Sequence, residues 1–314
     1  MKNKIEPMVF HGLYFIENIT KRRNVIMTKV IDGRRIAKEI NESLKARVEN
    51  FINEYKITPK LAVVMAGGDP ASLFYVKMIA KSCERASIDF EKHSLPSETT
   101  EEELLKLIDN LNKNKKVSGI IVQVPLPKHI NQERIQEAVN PSKDVDCFNP
   151  INMGRLALGK PEFLPCTPYA VYELMKRENI VVEGKHTVIV GRSNIVGRPM
   201  ALILLQKKQY ANATLTICHS RTNDLSYFTR QADILIAAVG KPEIIKRDMV
   251  KEGVVIIDVG TNEVGGKLVG DVAYEEVWDK ASIITPVPGG VGPITNVMLM
   301  QNTLKAAGNL VVSE

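Results

Sequence analysis

Aromatic residues make up only 5% of this 314-residue chain, with one tryptophan, and cysteine occurs four times. The cysteines (Cys83, Cys147, Cys166, Cys218) form no CxxC pair, so neither a zinc knuckle nor a disulfide framework is expected. A reducing, cytoplasmic setting is the simpler reading. Five histidines are scattered without ligand spacing, and no metal site is expected. No apolar run approaches the roughly 18 residues that a membrane span needs. Neither sign of charge dominates: 42 Lys+Arg face 36 Asp+Glu, a net +6. Without a basic block interleaved with aromatics, a nucleic-acid groove is excluded and small anionic ligands fit better.

The 44% hydrophobic and 25% charged content is that of a globular protein, and the length suggests two domains. Residues 1–26 look unlike the rest of the chain. VFHGLYFI is too short to span a membrane and lacks a small-residue cleavage site, and Glu6 and Glu17 count against an organellar presequence. The stretch reads as an extension or as sequence upstream of the true start, with folding expected from near Met27.

Strand and helix patterns then alternate. Ile36, Ile40, Leu44, Val48 and Ile52 recur at helical spacing, KLAVVMAG is a short β-rich run, and Ala71–Ala86 and Thr99–Asn112 read as helices. Gly119–Val124 is a strand stopped by Pro125. Residues 141–168 read as active-site loops and the connection between domains. A second series comes after them: the run HTVIVG (His186–Gly191), helix Gly197–Gln206, strands Ala213–Ile217, Asp233–Ala238 and Val254–Asp258, and a last helix from about Thr295 to Ala307. The fold class is α/β: two successive strand–helix series, each expected to form a parallel sheet, the second reading as a Rossmann-like dinucleotide-binding half.

VIVGRSNIVGRPMA pairs a strand with a glycine turn and a helix start, where free N–H groups favour anions. Its spacing is GxSxxxG (Gly191, Ser193, Gly197), and alone it leaves phosphate binding and an ordinary tight βα turn both open. The next strand ends CHSRT. An NAD site usually offers a carboxylate there, whereas Ser220 and Arg221, with Arg192 nearby, favour the 2′-phosphate of NADP; NAD is the alternative.

GGDPASLFYVKMIAKSCE (67–84), GIIVQVPLP (119–127), KDVDCFNPINMGRL (143–156), PCTP (165–168) and TPVPGGVGPIT (285–295) complete the pattern. From about Val30 to Leu304 the chain resembles the bifunctional methylenetetrahydrofolate dehydrogenase/methenyltetrahydrofolate cyclohydrolase family. The resemblance implies a two-domain homodimer whose last helix packs back on the first domain (27–149 plus 297–314 catalytic and folate-binding, 150–296 NADP-binding), a tetrahydrofolate substrate in the cleft between them, and hydride transfer to NADP followed by hydrolysis to 10-formyltetrahydrofolate. It implies catalytic roles for Tyr75, Gln123 and Asp146, with Asp146 holding the pterin. It also implies substrate contacts at Pro288, Gly289 and Gly290, and cofactor contacts at Gly191, Arg192, Ser193, Gly197, Ser220, Arg221, Thr261 and Thr295. Thr295 is also expected to cap the last helix. Tyr75 could stack on a flat ring, and Gln123, interrupting an apolar strand, needs a partner if buried.

Two positions depart from the family. Its tyrosine is followed four residues later by a lysine credited with the hydrolytic proton transfers, and here that place holds Ile79. Lys77 and Lys81 point off the tyrosine's helix face. The family's DVDG is DVDC, so Cys147 is expected to crowd the pocket or shift the backbone. Dehydrogenase activity is therefore expected to persist and cyclohydrolase activity to be weak or absent; a fully bifunctional enzyme and a catalytically silent folate- or NADP-binding protein are the alternatives.

Overall fold

The computed structural model describes residues 28–312; the expectations for residues 1–26 and Met27 lie outside them. A short strand β1 (Lys29–Val30) leads into α1 (Gly33–Tyr55), then β2 (Lys60–Ala66), α2 (Pro70–Arg85), β3 (Asp89–Leu95), α3 (Glu101–Lys113), β4 (Gly119–Val122) and α4 (Gln132–Ala138). Helices α5 (Pro150–Ala157) and α6 (Cys166–Arg177) precede β5 (His186–Val190), α7 (Gly197–Leu204), β6 (Thr214–Cys218), α8 (Leu225–Thr229), β7 (Ile234–Ala237) and β8 (Val254–Asp258). A hairpin of β9 (Asn262–Val264) and β10 (Lys267–Val269), α9 (Tyr274–Val277), β11 (Ala281–Ile284) and α10 (Gly292–Val312) complete the chain.

Two parallel sheets result, one ordered β3-β2-β4 and the other β1-β11-β8-β7-β5-β6. Strands buried on both faces, such as β2 and β7, read as continuous apolar runs, as parallel sheets covered by helices require. Asp32 caps α1 by accepting from the N–H groups of Arg34 and Arg35, and Ile36, Ile40, Leu44 and Val48 form its buried stripe. Thr100 and Glu103 make a reciprocal capping box on α3.

The structure corrects three sequence readings. Residues 141–168 are not all loop: α5 forms within them, capped by Asn149 with Pro150 in its first turn, and α6 starts at Cys166. Helix α5 buries only Asn152 and Leu156, too few positions to show a period. The last helix starts at Gly292, so Thr295 lies inside its first turn and does not cap it. Finally, Lys29–Val30 pairs with β11 of the second sheet, so these first residues do not join the sheet of the domain assigned to them. A two-residue strand carries no periodicity to reveal that partner.

Candidate active site

The three residues assigned to catalysis converge at the carboxyl end of the small sheet. Tyr75 lies in α2, which leaves β2 through the Asp69 cap and Pro70. Gln123 follows β4; its backbone N–H donates to the Val64 carbonyl and its Nε2 donates 2.9 Å to the Val124 carbonyl. Ser72, one turn before Tyr75, also donates to Val124 O, at 3.4 Å, which ties α2 to the end of β4. The partner that Gln123 needs is thus a loop carbonyl. Asp146 follows Asp144, which bridges to Ile120 of β4.

Tyr75, Asp146 and Cys166 are coupled electrostatically. Burial, then the Asp146 carboxylate, then the Cys166 thiol push the Tyr75 phenol well above its usual range. Burial raises Asp146 to about 6, partly offset by a hydrogen bond with the Cys166 thiol, while Asp144 adds a small upward push. Cys166 is itself buried and held strongly as a thiol by burial and the neighbouring carboxylate, which suits packing and not nucleophilic attack. Asp144 is the turn aspartate: it accepts from Phe148 N, Asn149 N and Asn152 Nδ2 at 2.8–3.1 Å.

Cys147 takes φ 63°, the left-handed region where glycine pays no Cβ penalty. Its side chain is buried and its thiol donates to the Phe163 carbonyl at 3.4 Å. The substitution is therefore carried as local backbone strain of about 1–2 kcal/mol. Ile79 is fully buried in the core with Val76 and Cys83, whereas Lys77 and Lys81 are exposed.

A second set of residues lines a cavity of its own. A cavity of about 270 Å³ is lined by Arg34, Thr167, the 258–261 loop with Thr261, the 286–293 loop with Pro288, Gly289 and Gly290, and Thr295. Thr167 adjoins Cys166, which touches Asp146, so the cavity and the carboxylate cluster are neighbours. Arg34, Thr167 and Asp258 were not singled out from sequence. Asp258 was findable, since the carboxyl ends of parallel strands gather ligand groups; Arg34 comes from a distant helix and left no signal.

The dinucleotide turn splits into packing and binding parts. Gly191 has φ 133°, and a Cβ there would fall 2.1 Å from the Ala238 carbonyl; one on Gly197 would fall 2.1 Å from the Gly191 carbonyl. Both glycines are thus required by backbone contact at the crevice between β5 and β7, where the strand order reverses. Ser193 Oγ accepts from Val196 N at 3.1 Å and organises the turn. Val190 pairs with Cys218, which puts Arg192 and Ser220 each two residues beyond the same rung. Arg192, Ser220 and Arg221 are exposed, and neither arginine has an ion-pair partner among the described residues. That donor set fits a phosphorylated dinucleotide. No group of three or more His, Cys, Asp or Glu among the described residues is arranged to hold a metal, and no described helix is long and apolar enough to cross a membrane.

Comparison with known proteins agrees with this geometry. Residues 31–146 match the family model for the tetrahydrofolate dehydrogenase/cyclohydrolase catalytic domain, and residues 165–310 match the NAD(P)-binding domain of the same family. The chain is 54% identical over 282 residues to the bifunctional protein FolD of Geotalea daltonii, spanning 90% of this chain and 99% of that one. The crystal structure of the bifunctional FolD dehydrogenase/cyclohydrolase from Campylobacter jejuni superposes with a TM-score of 0.86 at 50% identity, covering 90% and 99% of the two chains. A Trypanosoma brucei homologue solved with NADP cofactor and an inhibitor gives a TM-score of 0.85 at 36% identity, covering 90% and 98%.

Proposed function

Because the chain belongs to the tetrahydrofolate dehydrogenase/cyclohydrolase family, we propose that it oxidises 5,10-methylenetetrahydrofolate to the methenyl form with NADP. The observation that carries this is Tyr75 and Asp146 set in one electrostatic cluster beside the glycine-rich cavity. NADP, when bound, accepts the hydride. The chain's own residues do the rest. Asp146 accepts N–H donors from the pterin, Tyr75 offers a ring face, and Gln123 stands at the carboxyl end of β4. Arg192, Ser220 and Arg221 hold the 2′-phosphate. Hydride transfer mainly needs the two reacting carbons aligned and dry. We place the protein in the cytoplasm as a homodimer, with a folate unit at 27–149 plus 297–314 and a cofactor unit at 150–296, apart from β1.

The relatives' names support a chain that also performs the cyclohydrolase step, and the bifunctional reading fits them best. One observation favours a second reading, in which hydrolysis is weak: the fully buried Ile79 supplies no acid or base. A positioned acid/base group is typically worth about 10²–10⁴-fold. Purified protein given methylenetetrahydrofolate and NADP should form NADPH, faster than with NAD; no NADPH from either cofactor would sink the dehydrogenase reading. Decay of methenyltetrahydrofolate separates the other two. Enzyme-dependent decay at least about tenfold slower than hydride transfer, raised in the Ile79→Lys variant, supports weak hydrolysis; decay matching hydride transfer establishes the bifunctional enzyme.

Asp146 also predicts a pH profile. With its carboxyl at about 6, the proton stays on below that pH, and the protonated group no longer accepts two N–H donors. The value of kcat/KM for the folate should be level above pH 6 and fall roughly tenfold per unit below it. Asp146→Asn should be slow at every pH without that inflection. A wild-type profile flat from pH 5 to 7 would remove Asp146 from pterin binding.

A further inference from the structure

Asn302 sits midway along α10, nearly inaccessible, and its side-chain amide is committed to two other segments. Nδ2 donates 2.8 Å to the Val145 carbonyl and 2.9 Å to the Leu164 carbonyl, which uses both of its hydrogens. Helix α10, the 143–147 turn and the loop that enters α6 are thus joined at one nitrogen.

The Val145 carbonyl belongs to the peptide unit whose nitrogen is that of Asp146. Because the peptide is planar, holding its oxygen also holds the next Cα, and Asn302 fixes the backbone from which the Asp146 side chain springs. The Leu164 carbonyl lies two residues before Cys166. The Cys166 Sγ is 3.6 Å from the same Val145 oxygen and 3.9 Å from Asn302 Nδ2, and it touches the Asp146 carboxyl. Asp146 is therefore steadied through its own peptide and through the thiol beside it, and both routes lead to Asn302. The titratable groups that face Asp146 are Tyr75 from α2, Cys166 from α6, and Asp144 and Cys147 from its own turn. None of them is a cation, so none pins the carboxylate by an ion pair.

We propose that Asn302 is a positioning residue for Asp146, fixing the Val145–Asp146 peptide so that the carboxylate meets the pterin edge. It needs no contact with the substrate and takes no part in proton transfer. The inference rests on the folate reading above, in which Asp146 holds the pterin.

Calorimetric titration with methylenetetrahydrofolate and with NADP tests it without depending on turnover. In Asn302→Ala both carbonyls lose their donor, and the side that faces the cavity of about 430 Å³ lined by Asn302, Arg47, Tyr169 and Gln301 is open to water. Kd for the folate should rise about tenfold, the worth of one such hydrogen bond, while Kd for NADP stays within twofold. Gln301→Ala is the control: it lines the same cavity, its side chain bonds to the Tyr169 hydroxyl, and both constants should hold within twofold. A double-mutant cycle separates positioning from structure. With Asp146→Ala already present, Asn302→Ala should change the folate Kd by less than about twofold, because the group it aims is gone. An equal rise in both backgrounds, or a folate Kd unchanged in Asn302→Ala, would overturn the proposal. If the alanine variant folds poorly, Asn302→Ser, which keeps one donor, should show the same split at smaller size. Wild-type protein that neither binds the folate nor forms NADPH would overturn the functional reading itself; active wild type with an additive cycle would overturn only this inference.

Discussion

Adding one methyl group at Gly33 should slow hydride transfer by about 10²-fold, the usual consequence of displacing a reacting group by 1 Å. Gly33 opens α1, and its N–H donates to the Gly289 carbonyl at 2.9 Å. A Cβ on Gly33 would lie 1.7 Å from the Gly290 carbonyl oxygen and 2.7 Å from that of Gly289. Both obstacles are backbone, so the 286–293 loop must move as a unit, and that loop lines the cavity between the two halves of the site. Stability should fall by about 1–3 kcal/mol, the ordinary cost of overpacking. Gly154→Ala is the control, because a Cβ there meets nothing within 4 Å. Steady-state kinetics of both variants decides the matter: Gly33→Ala within threefold of wild type would show that the loop's position is not critical.

Asp258→Ala should cost at least about 3 kcal/mol. The carboxylate, nearly inaccessible at the end of β8, accepts from the backbone N–H groups of Gly260, Asp271 and Val272 at 2.9–3.0 Å. Truncation leaves three buried donors unpaired at about 1–3 kcal/mol each, softened by whatever water enters. For a chain of this size the melting temperature should drop by roughly 6–12 °C. The loss depends on pH with a definite sign. Burial, outweighing those three donors, raises the carboxyl to about 7, well above its ordinary value of 3.8. The folded state therefore keeps a proton that the unfolded state gives up, and wild-type stability falls as pH climbs from about 4 to 7. The alanine variant lacks that slope, so the difference between the two should be larger at pH 5 than at pH 8. Denaturant melts at both values would measure it, and an equal difference would mean that Asp258 is already ionised when buried.

These two residues show where sequence reading ran short. The alternating elements, GxSxxxG and PGGVGP were visible because they are local: a strand's apolar run or a glycine turn is written in consecutive residues. Helix α5 was missed because eight residues with two buried positions make no period, and Lys29–Val30 because its pairing partner lies more than 250 residues away. Gly197 was ambiguous between phosphate approach and packing until the Gly191 carbonyl was seen 2.1 Å from its would-be Cβ.

By itself, the sequence determined the family, the two-sheet α/β class, and which residue types stand at Tyr75, Gln123, Ile79 and Asp146, because each is a property of residues in order. Only the tertiary structure decided that Asp146 shares its environment with Tyr75 and Cys166, that Ile79 is sealed in the core, and that Gly33 packs against the backbone of the cavity-lining 286–293 loop. Burial and electrostatic coupling depend on which elements pack together, and distances of a few ångströms between residues far apart in the chain are set by that packing alone.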